Sequence, residues 1–134
     1  MNDIEKSNID KNAGKRVKKS NREIGAEKEN EALNYLKKSG YRILEHNFYM
    51  RGGESDIIAL EGSVLCFVEV KFRKSSKYGT AAEAVTPTKR KRLIKTAQFY
   101  LLKHKEYSDK QVRFDVLAID GTVFTLYKAA FEAY

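Results

Sequence analysis

A chain of 134 residues is the size of one domain, and its formal charge of +8, with a sequence pI near 9.5, favours a polyanionic partner: nucleic acid, with an anionic membrane surface as the competing option. No apolar run approaches the about 20 residues of a membrane span and the N-terminus lacks the apolar core of a signal peptide, so the chain is expected in the cytoplasm with no membrane partner. A single cysteine, Cys66, excludes a disulfide framework or a cysteine zinc cluster.

Residues 1–19 are polar and rich in Lys and Asn, and Ile4, Ile9 and Val17 are too scattered to form a stripe. They read as a disordered basic tail, either attracted to phosphate or simply solvated, ahead of one domain over 20–134. Ser20 and Glu23 match a capping box and predict a helix from Asn21 to Ser39, ended by Gly40. Ala32, Leu33, Tyr35 and Leu36 form much of its apolar side. Glu29 borders that stripe; Glu27 and Glu31 read as solvated, although a one-position change of phase would exchange the choice.

Tyr41 to Met50 reads as an edge strand with Ile43 and Phe48 facing inward. His46 and His104 lack partners at metal-ligand spacing and read as partly exposed structure. Arg51-Gly52-Gly53 leads to a hairpin, with Arg51 placed to meet a phosphate. The hairpin strands, Ser55 to Glu61 and Val64 to Phe72, turn at Glu61-Gly62. Alternation puts Glu69 and Lys71 on one face of the second strand, opposite Val68, Val70 and Phe72, while Glu54 and Asp56 share a face of the first. A tight turn would bring Asp56 against Glu69.

From Lys71 to Lys95, both included, there are nine basic residues and one acid, Glu83. Arg73 and Lys74 open this basic surface. Thr86-Pro87 starts a second helix, with Leu93, Ile94, Ala97, Tyr100 and Leu101 at helical spacing. Lys89, Arg90, Lys91 and Arg92 crowd its first turns, against the helix dipole; a solvated face is the ordinary explanation, and a bound phosphate would relieve the conflict. Thr88 and Lys89 are the expected phosphate contacts, with Arg92 beside them. Two strands follow, Gln111 to Ile119 and Val123 to Tyr127, joined at Asp120-Gly121; Arg113 and Asp115 share a face there and read as a structural pair. The order helix, three strands, helix, two strands predicts an α/β sandwich: a central five-stranded mixed sheet flanked by helices.

The chemistry rests on the carboxylates. Two held together repel and raise each other's proton affinity unless a cation lies between them. Magnesium suits such a pair, with manganese as a substitute, since it takes one or two carboxylates and leaves positions for water and phosphate. Lys71 could then orient or deprotonate an attacking water. A solvated Glu-x-Lys pair is the commoner explanation of the motif alone, but charges on an otherwise apolar strand are unfavourable unless paired or metal-bound.

Gly25, Glu29, Ala32, Tyr35, Leu36, Gly40-Tyr41, Asn47, Gly53-Glu54-x-Asp56, Phe67-Val68-Glu69-Val70-Lys71, Lys89 and Arg113-Phe114-Asp115-Val116 together resemble the bacterial YraN family, from about Arg22 to Phe131. That family is similar in fold to archaeal Holliday-junction resolvases and restriction endonucleases, the PD-(D/E)xK group. The resemblance implies that Asp56, Glu69 and Lys71 are catalytic and that an acid on the first helix, at Glu29, joins Asp56 and Glu69 around the metal. Lys28 and Ser55 depart from the family pattern without removing a ligand. The resulting expectation is a metal-dependent endonuclease acting on DNA, branched or damaged; the alternatives are a non-catalytic nucleic-acid-binding module and a scaffold with a structural ion-pair network. A two-fold homodimer would suit a two-fold junction.

Overall fold

The structure is a computed structural model that describes residues 20–73 and 85–133. The chain divides into two compact units, Met1–Glu31 and Ala32–Tyr134. In the first, the described part is the start of helix α1 (Asn21–Lys38), where Ser20 Oγ accepts the Glu23 N–H at 3.2 Å, the serine half of the predicted cap. The helix ends at Gly40, which adopts φ +96°.

The second unit contains the last turns of α1 and a five-stranded sheet in the order β1-β2-β3-β4-β5. Its strands are β1 (Tyr41–Met50), β2 (Gly53–Glu61), β3 (Val64–Arg73), β4 (Gln111–Asp120) and β5 (Val123–Phe131). Among the described residues, helix α2 (Pro87–Lys103) and a 3-10 turn, Lys105–Tyr107, lie between β3 and β4. All neighbouring strands are antiparallel except β3 and β4, which run parallel because the α2 crossover returns the chain to the same end of the sheet. This is the expected mixed α/β sheet, consistent with a restriction endonuclease-like fold. Element boundaries differ from the sequence reading mainly at β5, which continues to Phe131 through Ala129 at φ +53°.

Both faces of the sheet are covered, which explains why β3 is apolar on alternate residues of either parity. On one face Ile58, Leu60, Leu65, Phe67, Phe114 and Val116 pack with Leu93, Ala97 and Tyr100 of α2. On the other, Ile57, Ala59, Cys66, Val68, Leu117 and Ile119 pack with Ala32, Leu33 and Leu36 of α1. Cys66 is a fully buried thiol, used as a small apolar group. The parity also assigns the charges: Asp56, Glu69 and Lys71 fall on the α2 face, and Asp115 on the α1 face.

Candidate functional site

The site lies where the sheet forks. Paired positions of β2 and β3 run from Glu61↔Val64 to Ile57↔Val68. Beyond that point β2 stays paired with β1 as far as Gly53↔Met50, and β3 stays paired with β4 as far as Arg73↔Asp120. The ladder between the prongs is replaced by a side chain: Val70 N–H donates to Asp56 Oδ2 at 2.9 Å. One step past the last backbone pair, the carboxyl groups of Asp56 and Glu69 meet.

Glu69 is 4 % exposed, and its Oε2 is buried with no hydrogen-bond donor among the described residues. Burial, then the adjoining Asp56 carboxylate, pushes its proton affinity up, to a pKa of about 8. Two lysines moderate this rise. Lys89 Nζ lies 3.7 Å from Glu69 Oε1, and Lys71 supplies a second positive charge. Lys89 Nζ also donates to Glu54 Oε1 at 2.7 Å, which holds the Glu54 carboxyl below its usual range. Burial alone would lower the Lys89 pKa, but the bond to Glu54 and the charges of Glu69 and Asp56 outweigh it and raise it.

Helix α2 delivers Lys89 to this position. Thr86 caps the helix by accepting the Lys89 N–H at 3.2 Å, and Pro87 follows at the first helical turn. The helix comes close to β2 because Gly53 has no side chain: a Cβ there would collide with Thr96 Oγ1 and lie 3.3 Å from the Arg92 carbonyl. Thr96 Oγ1 donates to the Arg92 carbonyl at 2.7 Å.

The predicted residues therefore fall into groups. Asp56, Glu69 and Lys71 share one site on the α2 face, as the alternation of the strands requires. Glu29 belongs to the first unit, where it is half-buried while Glu27 and Glu31 are exposed. Among the described residues no three His, Cys, Asp or Glu side chains form a group able to hold a metal. Of the expected phosphate contacts, Arg51, Thr88 and Arg92 are exposed. Arg73 is held by Asp120 through Nε–Oδ1 at 2.8 Å and Nη2–Oδ2 at 3.0 Å. Lys89 points at carboxylates rather than outward, and Lys74 lies outside the described residues. Sequence reasoning missed the roles of Glu54 and Lys89 inside the site. The trace was there: a lysine in the first turn of a capped helix, against the dipole, needs a nearby anion.

On the opposite face, Asp115 is fully buried and fully used. Its Oδ2 accepts from Tyr41 Oη at 2.7 Å and Arg113 Nη2 at 2.9 Å, and its Oδ1 from Arg113 Nε at 2.8 Å and Ala129 N–H at 2.9 Å. Arg113 Nη2 continues to Glu61 Oε1 at 2.7 Å. The expected Arg113–Asp115 pair is thus a clamp joining β1, β2, β4 and β5.

No helix among the described residues is long and apolar enough to cross a membrane. Residues 28–119 match the profile described as "Uncharacterised protein family UPF0102". A UPF0102 protein of Persephonella marina is 46% identical over 108 residues, 81% of this chain and 92% of the relative. One of Herminiimonas arsenicoxydans is 42% identical over 119 residues, 89% of this chain and 94% of the relative. One of Lachnoclostridium phytofermentans is 44% identical over 110 residues, 82% and 93% of the two chains. With the profile spanning most of the chain and these relatives aligned over nearly their whole length, the protein belongs to the UPF0102 family, the YraN-like, nuclease-related group that its motifs resemble.

Proposed function

We propose that this protein is a divalent-metal-dependent nuclease that hydrolyses phosphodiester bonds in DNA, with branched or damaged DNA as the substrate class. One observation carries the reading: the buried Glu69 carboxyl faces the Asp56 carboxyl and has an oxygen with no donor among the described residues, beside Lys71 and Lys89. A purely structural acid on a central strand would be expected to have its oxygens satisfied.

The donor set fits a hard cation. Asp56 and Glu69 would hold Mg2+ or Mn2+, and two carboxylates are enough for a metal that keeps several waters. Bound there, the metal would supply charge neutralisation at the scissile phosphate. Glu69 would hold the metal as its carboxylate, without the proton that burial and Asp56 favour and that solvent would take up. The Val70 N–H fixes the Asp56 carboxylate in place, so one of its oxygens is oriented before substrate arrives. Lys71, half-exposed on the same face as Glu69, is the group positioned to orient the attacking water and to balance negative charge developing on the phosphate. Lys89, held between Glu54 and Glu69, would add a positive charge beside a bound phosphate.

A second reading, a nucleic-acid-binding module without cleavage, is favoured by Lys89 itself, which already places a cation against Glu54 and Glu69. Purified protein incubated with duplex, single-stranded and junction DNA, with Mg2+ or Mn2+ and an Asp56→Ala control, separates the two. Metal-dependent cleavage lost in the variant supports the nuclease; binding that survives in both proteins without cleavage supports the module.

A further inference from the structure

Beside the carboxylate site is a cleft of about 300 Å³ lined by Tyr49, Gly52, Gly53, Glu54 and Arg92. Tyr49 sits opposite Glu54 in the β1–β2 register and is 70 % exposed, against 42 % for Phe72, the other aromatic among the exposed large apolar residues. A ring this exposed on an edge strand offers a flat apolar face to a partner. The surroundings indicate which. Arg92 forms one wall, and Lys95 Nζ lies 3.4 Å from where a Gly52 Cβ would be. Gly52, at φ +83°, adds no side chain of its own to the cleft, and Gly53 is packed against Thr96 of α2. An exposed ring beside two cations suits a planar heterocycle attached to a phosphate better than an apolar protein surface.

The cleft is also the right distance from the acids. Glu54, its wall, is joined through Lys89 at 2.7 Å to the Glu69 carboxylate at 3.7 Å. Glu54 and Asp56 are two residues apart on one face of β2, about 7 Å along the strand. That is within the reach of one nucleotide.

We infer that Tyr49 is a stacking platform for an unpaired nucleobase, so that the DNA taken by this site carries an unstacked base next to the phosphate held at Asp56 and Glu69. The inference rests on the nuclease reading for the phosphate's position, but stacking itself needs no cleavage. A base inside an intact duplex has both faces covered by its neighbours and cannot use the ring; a base at a branch, gap or single strand can.

The test is equilibrium binding in EDTA, read by anisotropy of labelled DNA, for the wild type, Tyr49→Phe and Tyr49→Ala. The probes are a single-stranded oligonucleotide and the matching blunt duplex. Tyr49→Ala should weaken single-strand binding about 5- to 150-fold, leave duplex binding within about twofold, and be rescued by Tyr49→Phe, which keeps the ring. A single strand carrying 2-aminopurine should show fluorescence quenching with the wild type and Phe variant and none with the Ala variant. Equal losses on both probes, no loss on either, or no single-strand binding by the wild type overturns the inference. Cleavage with Mg2+ is assayed in parallel. A wild type that cuts nothing, with the selective Ala effect intact, sinks the nuclease reading alone; cleavage with no Ala effect on binding sinks the stacking platform alone.

Discussion

Two buried acids on opposite faces of one sheet have opposite surroundings. Asp115 is fully buried, and both its oxygens accept two hydrogen bonds each, from Tyr41, Arg113 and the Ala129 N–H. Glu69 is almost as buried, yet it faces another carboxylate and has an oxygen without a donor among the described residues. The first arrangement closes on itself and ties four strands together; it leaves no valence for a ligand. The second is unfavourable as it stands and would become favourable with a cation between the acids, as the proposed metal site requires.

If the clamp is structural, Asp115→Ala strands Arg113 and Tyr41 without their shared acceptor and destabilises the protein by about 3–5 kcal/mol, measured by urea denaturation. A loss below about 1 kcal/mol would erase the distinction between the faces. On the other face, Lys71→Ala should slow metal-dependent DNA hydrolysis about 10²- to 10³-fold and move the unfolding free energy by no more than about 0.5 kcal/mol. Similar losses of stability in both variants would mean that Lys71 is part of the scaffold.

The pH dependence sharpens the contrast further. Glu69 keeps its proton in the folded protein after the unfolded chain has lost it, because its pKa is raised from the ordinary carboxylate range to about 8. Stability from this group is therefore full at acid pH, falls as pH rises through that window by at most about 1.4 kcal/mol per unit, and is level above it. Glu69→Gln should remove this slope. Mg2+ should raise the melting temperature of the wild type at pH 8 and leave Glu69→Gln nearly unmoved, since a ligand stabilises only the state that binds it. A wild type whose melting temperature ignores Mg2+ would remove the metal from the argument.

The smallest effect belongs to Lys89→Met. Glu54 is more than a third exposed, so losing its lysine partner should change stability by under about 1 kcal/mol while returning the Glu54 carboxyl toward its usual pKa, as followed by NMR titration. A larger loss would place Lys89 with the clamp type of contact.

Much of this was legible along the chain. The capped helices, the hairpin at Gly62 and the crossover follow from local chemistry: Ser20 and Thr86 each accept an N–H three residues on, and alternation along β3 put Glu69 and Lys71 on one face. Because that alternation is a property of the backbone, Asp56 and Glu69 could be paired from their spacing once the turn was placed. The partners of Lys89 and Arg73 could not. Arg73 is bound to Asp120, 47 residues away in sequence, and Lys89 to Glu54, 35 residues away. A run of basic residues reads as one charged surface until packing turns some of them inward.

By itself, then, the sequence determined the order of helices and strands, the faces on which the acids stand and the excess of positive charge, since each depends on bonds and contacts within a few residues. Only the tertiary structure decided that β2 and β3 part beyond Ile57↔Val68, that α2 rests against Gly53, and that, among the described residues, one buried acid is satisfied while the other is not. Hydrogen-bond satisfaction depends on which groups meet across strands and helices, and the chain settles that only when it folds.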